Sequence, residues 1–416
     1  MTLIYVNCLS KRILNMVKIT TIRKIMPIFA PDSSIVFQVL RVIIKRKDMK
    51  MDEERMMFSR NLQEDLVLAL AECERDRLFV LTDSNTVRLC WPLVSNFLCL
   101  RKAELITIPV GDDHKTIATA TYVWQQLSQL GATRHSCLIN LGGGMVTDLG
   151  GFVASTFKRG INYINMPTTL LAMVDASTGG KTGVNLDGLK NEVGTFSRPS
   201  FVVVHTPFLQ TLSQENLLSG FAEMLKHALL SDNALWAEIV EHSALNIEHS
   251  ALNTEVWEKR LMRSVAVKQR IVAADPQEQG LRKALNLGHT VGHALETWSG
   301  KEERGERKEI RQSPMPLLHG YAVAYGLVAE LFLSAVKCSF PTDKLRQTVS
   351  FIFELYGRPA ITCDDYDALI ALMRHDKKNQ RGQINFTLLA DIGDVRIDQT
   401  ATAEEIKEAL DFLREG

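Results

Sequence analysis

The seven cysteines of this 416-residue chain, Cys8, Cys73, Cys90, Cys99, Cys137, Cys338 and Cys363, are odd in number and contain no C-x-x-C pair. Neither a disulfide framework nor a thiolate zinc knuckle is expected of them, and the chain reads as reduced and cytoplasmic. Net charge is lacking too, since 48 basic residues balance 48 acidic ones. General nucleic-acid and anionic-membrane binders need a basic excess, so the expected partner is a small molecule, with no nucleic acid and no membrane. No stretch reads as long and apolar enough to cross a bilayer. In the first fifty positions acids are scarce, Asp32 and Asp48 being the only two. A secretory signal would need one continuous apolar core, which Lys11, Arg12, Lys18, Arg23 and Lys24 interrupt. A transit peptide fits the scarcity of acids but not the paucity of Ser or the Ile-rich run near Val42. The preferred reading is an upstream start codon, with residues 1–56 a basic extension. Met51, Met56 and Met57 stand just before Ser59, where an amphipathic, acidic pattern begins.

The remaining length suits two domains. Short apolar runs at Leu78 to Asp83, Ala103 to Val110, Cys137 to Gly144, Ile161 to Pro167 and Phe201 to Pro207 alternate with helical periods. They read as buried strands of a mostly parallel sheet, an architecture that binds ligands beyond the carboxyl ends of its strands. From Ser213 the period is helical through about Arg374, with a short extended piece near Gln383 to Leu389. The expectation is an α/β nucleotide-binding domain over 57–212, followed by an all-α metal- and substrate-binding domain over 213–416. The charge-dense segment Ser299 to Pro314 reads as a solvated loop.

In LRKALNLGHTVGHALET, Arg282, Asn286, His289 and His293 fall at helical spacing, and one continuous helix would line them along a single stripe. Cations and imidazoles in so apolar a segment need a metal or an anion to satisfy them; a lone core histidine would be the blander explanation. Gly142, Gly143 and Gly144 follow a strand and open a helix, where backbone can approach a pyrophosphate closely. The spacing is not G-x-G-x-x-G, and a plain tight turn is the alternative. Asp83, ending an earlier strand, is placed to accept from ribose hydroxyls. Arg159, Asp175, Lys181, Lys190 and Asn191 sit among small residues, as groups gripping a phosphate or carboxylate do; unrelated surface lysines are the alternative. Glu223 and Lys226 share an otherwise apolar helix face, either as an internal salt pair or as a carboxylate ligand beside a cationic substrate group.

In order along the chain, GGGxxxDxxGFxAxTxxRG, PTTLLAxVDxSxGGKTxxN, GKN (LKN in this chain), GxAExxK, LNxGHxxGHAxE, LHGxxVxxG and DKK resemble the 3-dehydroquinate synthase family of sugar-phosphate cyclases, from about Leu78 to Gly393. The resemblance implies an NAD-binding α/β domain, a helical metal domain and an active site between them. It also implies the substrate, 3-deoxy-D-arabino-heptulosonate 7-phosphate, a phosphorylated keto-acid sugar. Metal ligands would be Glu223, His289 and His319, with zinc or cobalt gripping adjacent substrate hydroxyls. His293 would act behind them or in proton transfer. Lys268, Arg282 and Asn286 resemble the carboxylate-binding group, with Asp175, Glu278 and Lys226 around the carbinol and keto positions. Arg159, Lys181, Asn191 and Lys377 (less surely Lys378) resemble the phosphate-binding group, Arg159 reaching in from the neighbouring subunit of a homodimer, and Lys190 is counted with the substrate-binding residues. NAD would be held by Asp83, Asn85, Asp112, Lys115, Gly143, Gly144, Asp148, Thr168, Thr169 and Thr211.

The implied reaction uses NAD⁺ catalytically: oxidation at C5 acidifies the C6 proton, phosphate is eliminated, NADH restores the alcohol, and ring opening with an intramolecular aldol closes the carbocycle. The phosphate can itself take the C6 proton, so few protein bases are required. The chain departs from the family pattern at Thr147, Asn216 and Tyr321. Alternatives are a related cyclase, whose substrate lacks the carboxylate that Arg282 and Asn286 would bind, and a metal-dependent polyol dehydrogenase of the glycerol dehydrogenase type, which needs no phosphate clamp.

Overall fold

A computed structural model describes residues 55–73, 75–187, 189–242, 254–301, 316–374 and 383–416. The expectations for most of the basic extension, the body of the charged loop, Lys377 and Lys378 lie outside the described residues. The chain divides into two compact units, one running to Thr168 and including Gly180–His205, the other made of Thr169–Gly179 and Thr206–Gly416. A single cut near Thr206 therefore does not separate them, because the short Thr169–Gly179 segment belongs with the helical unit.

The first unit contains strands β1 (Met56–Phe58), β2 (Leu78–Asp83), β3 (Glu104–Ile108), β4 (Cys137–Gly142), β5 (Asn162–Pro167), β6 (Lys181–Leu186), β7 (Leu189–Phe196) and β8 (Phe201–Val204). Six form a sheet in the order β1-β8-β5-β4-β2-β3, every pairing parallel. The inner strands β2 and β4 are buried along their whole length, which is why their sequences are apolar runs without alternation. Helices α1 (Leu62–Glu72), α2 (Thr86–Leu89), α3 (Ile117–Gln129) and α4 (Gly144–Thr156) accompany the sheet. Val123 and Leu127 of α3 and Leu149 and Val153 of α4 join Phe79, Leu81 and Leu138 in one buried cluster. From β2 the chain adds β3 on one side and β4 on the other, so the strand order reverses between β2 and β4. Their carboxyl ends, Asp83 and Gly142, flank the crevice that such a reversal opens.

Two elements of this unit differ from expectation. The segment rich in small residues after Gly180 forms an antiparallel hairpin, β6 with β7, instead of open loops. The ordered pattern also begins before Ser59: β1 pairs Met56 with Val202 and Phe58 with Val204, buries Met57, and is extended by Val202 N–H donating to Arg55 O at 2.9 Å. A chain beginning at Ser59 should therefore melt about 5–10 °C below one beginning at Met51, from the lost strand pairing and the lost burial of Met57. Equal melting temperatures would remove β1 from the working fold.

The second unit is helical: α5 (Gln214–Leu229), α6 (Asn233–His242), α7 (Thr254–Ala274), α8 (His289–Lys301), α9 (His319–Cys338), α10 (Thr342–Tyr356), α11 (Tyr366–Arg374) and α12 (Ala403–Glu415). The extended piece seen in the sequence becomes one antiparallel hairpin, β9 (Asn385–Asp391) with β10 (Asp394–Thr400). Contrary to the sequence reading, one helix among the described residues is long and apolar enough to cross a membrane: α9, most of it buried inside the unit. Its buried Glu330 and its contacts with α5, α8, α10 and α12 mark a core helix.

The continuous stripe through Arg282, Asn286, His289 and His293 is corrected. Leu281–Asn286 is a 3₁₀ turn, Leu287 is extended, and Gly288 adopts φ +78° before α8 starts at His289. A positive φ is cheap only for glycine, so Gly288 ends one helical element and re-aims the next. Arg282 and Asn286 thus leave the face that His289 and His293 share.

Candidate metal centre and nucleotide loop

In the first unit, the carboxyl ends of β2 and β4 carry the groups expected to hold a nucleotide. Asp83 Oδ1 accepts from the backbone N–H groups of Asn85 and Thr86, both at 2.8 Å, and so fixes the turn into α2. Gly143 is the N-cap of α4, whose first residue is Gly144, and Thr168 N–H donates to Gly142 O at 2.9 Å, tying the loop after β5 to the loop after β4. The buried Lys115 lies 2.6 Å from Asp148 and also donates to the Asn191 side chain. Lys190 lies 3.2 Å from Asp112, and Asn191, at φ +52°, donates its backbone N–H to Asn185. The structure therefore brings Asp112, Lys115, Asp148, Lys190 and Asn191 into one polar cluster around the β6–β7 hairpin. Lys181 opens β6 with an exposed side chain. Arg159 is exposed after α4, where Lys158 and Arg159 both take positive φ, 49° and 69°. Thr169 and Thr211 belong to the second unit, where their hydroxyls make local bonds to Ala172 N–H and Phe208 O.

The second unit assembles the candidate metal ligands. Ser213 caps α5, which carries Glu223 in an entirely buried position. Glu223 Oε1 faces His289 Nε2 at 3.4 Å and His319 Nε2 at 3.5 Å, and it accepts no hydrogen bond. These separations are long for hydrogen bonds, yet ligands about 2.0–2.1 Å from a tetrahedral ion lie about 3.3–3.4 Å apart. An orphaned buried carboxylate oxygen and two converging imidazoles thus fit a divalent metal with open coordination positions. The outer ring nitrogens are also held: His289 Nδ1 contacts Leu287 O at 3.0 Å, and His319 Nδ1 contacts Glu296 at 3.3 Å. Each contact places the proton on Nδ1 and leaves Nε2 for the ion. His319 can stand this close to α5 because Gly320 follows it; a Cβ there would come within 1.8 Å of Ser219 O. His293 is a ring neighbour, 5.2 Å from His289 and 6.2 Å from His319 between ring centres, outside the three-ligand cluster.

Beside the ligands is a compact charge network. Lys226 pairs with Glu223 and lies 3.9 Å from Asp175, while Lys268 lies 2.9 Å from Asp175. Burial alone would raise the Glu223 pKa, but Lys226 and His289 hold it well below the usual carboxylate range. Asp175 is likewise held low, against burial, by Lys268 and Lys226. Burial and the Lys226 charge push His289 down to about 3. For His319 burial is outweighed by Glu296, with Glu223, and the value rises to about 10. The pair is an internal salt pair, and the Glu223 carboxylate also faces the two imidazoles.

The loop between α7 and α8 presents the remaining expected groups. Asp275 accepts from Gln279, Gly280 and Arg282 backbone N–H groups at 3.0, 2.7 and 3.1 Å and so shapes the loop. Glu278 takes φ +60° and receives the Asn286 amide at 3.1 Å. The buried Arg282 donates to Pro276 O and Gly179 O. Glu296, Asp275, Glu330 and His227, whose Nδ1 is 2.8 Å from Ser264 Oγ, were not singled out from the sequence. The signal was present for Glu330, a lone charge in an apolar helical run.

The three departures are accommodated locally. Thr147 Oγ1 donates to Gly144 O, Asn216 takes part in the α5 cap with Ser213, and Tyr321 packs edge-on against Tyr356.

Sequence models of the 3-dehydroquinate synthase N-terminal and C-terminal domains match residues 105–219 and 220–379. The 3-dehydroquinate synthase of Parabacteroides distasonis is 48% identical over 88% of this chain and 99% of its own length. Among solved structures, 2-epi-5-epi-valiolone synthase from Streptomyces hygroscopicus, with NAD⁺ and Zn²⁺ bound, superposes with a TM-score of 0.74 at 25% identity, covering 88% of this chain and 98% of that one. A 2-deoxy-scyllo-inosose synthase complexed with carbaglucose-6-phosphate, NAD⁺ and Co²⁺ shares the fold, with a TM-score of 0.71 at 22% identity over 87% of this chain and 96% of that one. By its match along both domains, the chain belongs to the 3-dehydroquinate synthase family.

Proposed function

We propose that the chain converts 3-deoxy-D-arabino-heptulosonate 7-phosphate to 3-dehydroquinate and phosphate, with NAD and a divalent metal, zinc or cobalt, as cofactors. The observation that carries this reading is the identity to a 3-dehydroquinate synthase over almost that protein's whole length. The metal assignment is supported by the Glu223, His289 and His319 spacing. When bound, the cofactors supply Lewis acidity at the substrate's C5 oxygen and a hydride acceptor that gives the hydride back.

The chain's own residues then have separable tasks. Glu223, His289 and His319 would hold the ion, which would grip substrate hydroxyls as a Lewis acid. Lys268, Arg282 and Asn286 receive the carboxylate, a planar guanidinium being suited to two parallel bonds. Arg159, Lys181, Lys190, Asn191 and Lys377 neutralise and orient the phosphate, whose own oxygen takes the C6 proton as it leaves. His293, a ring neighbour of both metal-facing histidines, moves protons at the substrate hydroxyls. Asp175, Lys226 and Glu278 keep the charge pattern around the carbinol and keto positions. Asp83, Asn85, Asp112, Lys115, Gly143, Gly144, Asp148, Thr168, Thr169 and Thr211 hold the nucleotide. The working form is a homodimer in which Arg159 serves the neighbouring subunit.

The test of substrate class pairs the heptulosonate phosphate with the heptulose 7-phosphate that lacks its carboxylate. Phosphate and 3-dehydroquinate are expected from the first, with at least about 10²-fold lower turnover of the second, because buried Arg282 would be left without its charged partner. Preference for the sugar phosphate without a carboxylate would reassign the chain to a valiolone-type activity.

A further inference from the structure

Glu330 is fully buried near the middle of α9, and its carboxylate meets the start of α8. Oε1 accepts from Thr290 N–H at 2.9 Å and Val291 N–H at 3.2 Å, two of the donors that a helix leaves unpaired in its first turn. Capping accounts for those two bonds and for the shortest as well, in which Oε2 accepts at 2.7 Å from the N–H of Gly288, the residue whose carbonyl takes the first helical hydrogen bond from Gly292 N–H. The peptide that donates the third bond is also tied to a group that capping does not involve.

The peptide unit that donates this bond is Leu287–Gly288, and its carbonyl is the oxygen that accepts from His289 Nδ1 at 3.0 Å. One planar amide thus links the Glu330 carboxylate to the imidazole. An acceptor on the amide N–H draws electron density toward the carbonyl oxygen, which then holds the Nδ1 proton more strongly. That fixes the tautomer and makes Nε2, which faces Glu223, the better donor to a cation. His319 has the simpler arrangement, with Glu296 directly on Nδ1.

We propose that Glu330 is a positioning residue for the metal centre, orienting and strengthening His289 through the Leu287–Gly288 peptide. The proposal rests on Glu223, His289 and His319 holding a metal. Its test compares Glu330→Gln with Ser334→Ala, one turn further along α9, where the Ser334 hydroxyl donates to Glu330 O and accepts from Leu389 N–H. Ser334→Ala removes buried structural bonds and leaves the relay alone.

Zn²⁺ affinity is read by competition with a chromogenic chelator, the Co²⁺ form by its visible absorption, and the metal-free protein by its melting temperature. Glu330→Gln should bind Zn²⁺ about 10- to 100-fold more weakly and shift the Co²⁺ bands. Ser334→Ala should melt lower with wild-type affinity and spectrum. Wild-type affinity and an unshifted spectrum in Glu330→Gln would overturn the proposal and leave Glu330 a helix cap. If that variant does not fold, Glu330→Asp, which keeps the charge but shortens the reach, takes its place: weaker Zn²⁺ binding with shifted Co²⁺ bands supports the relay, and wild-type values overturn it. Retention of Zn²⁺ by His289→Ala would overturn the metal reading itself, a failure distinguishable from one confined to Glu330.

Discussion

Replacing His289 by Ala is expected to abolish both metal retention and turnover, whereas His293→Ala keeps the metal and loses rate by about 10²-fold or more. The contrast is sharp because the residues are one helical turn apart on α8 and their rings are neighbours. Spacing alone would make both of them ligands. His289 presents Nε2 to the buried Glu223 carboxylate in the cluster completed by His319, a cluster that does not include His293. Removing it leaves Glu223 without one of the partners that offset its burial. Metal content after dialysis, measured beside single-turnover rates, separates the two roles, and equal metal loss in both variants would make His293 a ligand.

The second large effect concerns the phosphate clamp. Arg159→Ala and Lys181→Ala homodimers should each be nearly inactive, yet unfolding and refolding them together should restore about a quarter of wild-type activity. About half of the dimers then form as heterodimers, and each keeps one of its two sites intact. Arg159 follows α4 on an exposed turn with two consecutive residues at positive φ, a conformation that costs about 1–3 kcal/mol per residue. In the proposed homodimer, reaching the neighbouring subunit's phosphate would give that turn its use. Confirmed heterodimers without recovered activity would place Arg159 in its own subunit's site or in none.

Much of the fold was legible because parallel strands buried on both faces announce themselves as short apolar runs, as β2 and β4 do. β1 escaped notice because three residues at a sheet edge are too few to carry a pattern. The β6–β7 hairpin was hidden for a different reason: its Gly, Thr, Lys and Asn residues looked like anion-binding loops, and Gly, Lys and Asn have low strand propensity. The stripe in LRKALNLGHTVGHALET was overdrawn, since helical spacing says nothing of a glycine that turns the chain midway. The residues hinted at a metal or an anion beside His289, but the three-ligand set was named only through the resemblance. Glu223, His289 and His319 lie far apart in sequence, and no local spacing joins them. Residues that hold the ligands from behind, Glu296 and Glu330, cannot be read from periodicity because their partners lie on other turns and other helices.

Under the proposed reaction, NAD acts as a catalyst within one turnover and is not released reduced. The most direct measurement supplies the heptulosonate phosphate, Zn²⁺ and NAD⁺ well below the substrate concentration, and follows phosphate and NADH absorbance together. Release of phosphate over many turnovers per NAD⁺, with no accumulating NADH, is the predicted result. NADH formed in step with consumption of a simple polyol, and no phosphate from the sugar phosphate, would contradict it and make the chain a dehydrogenase.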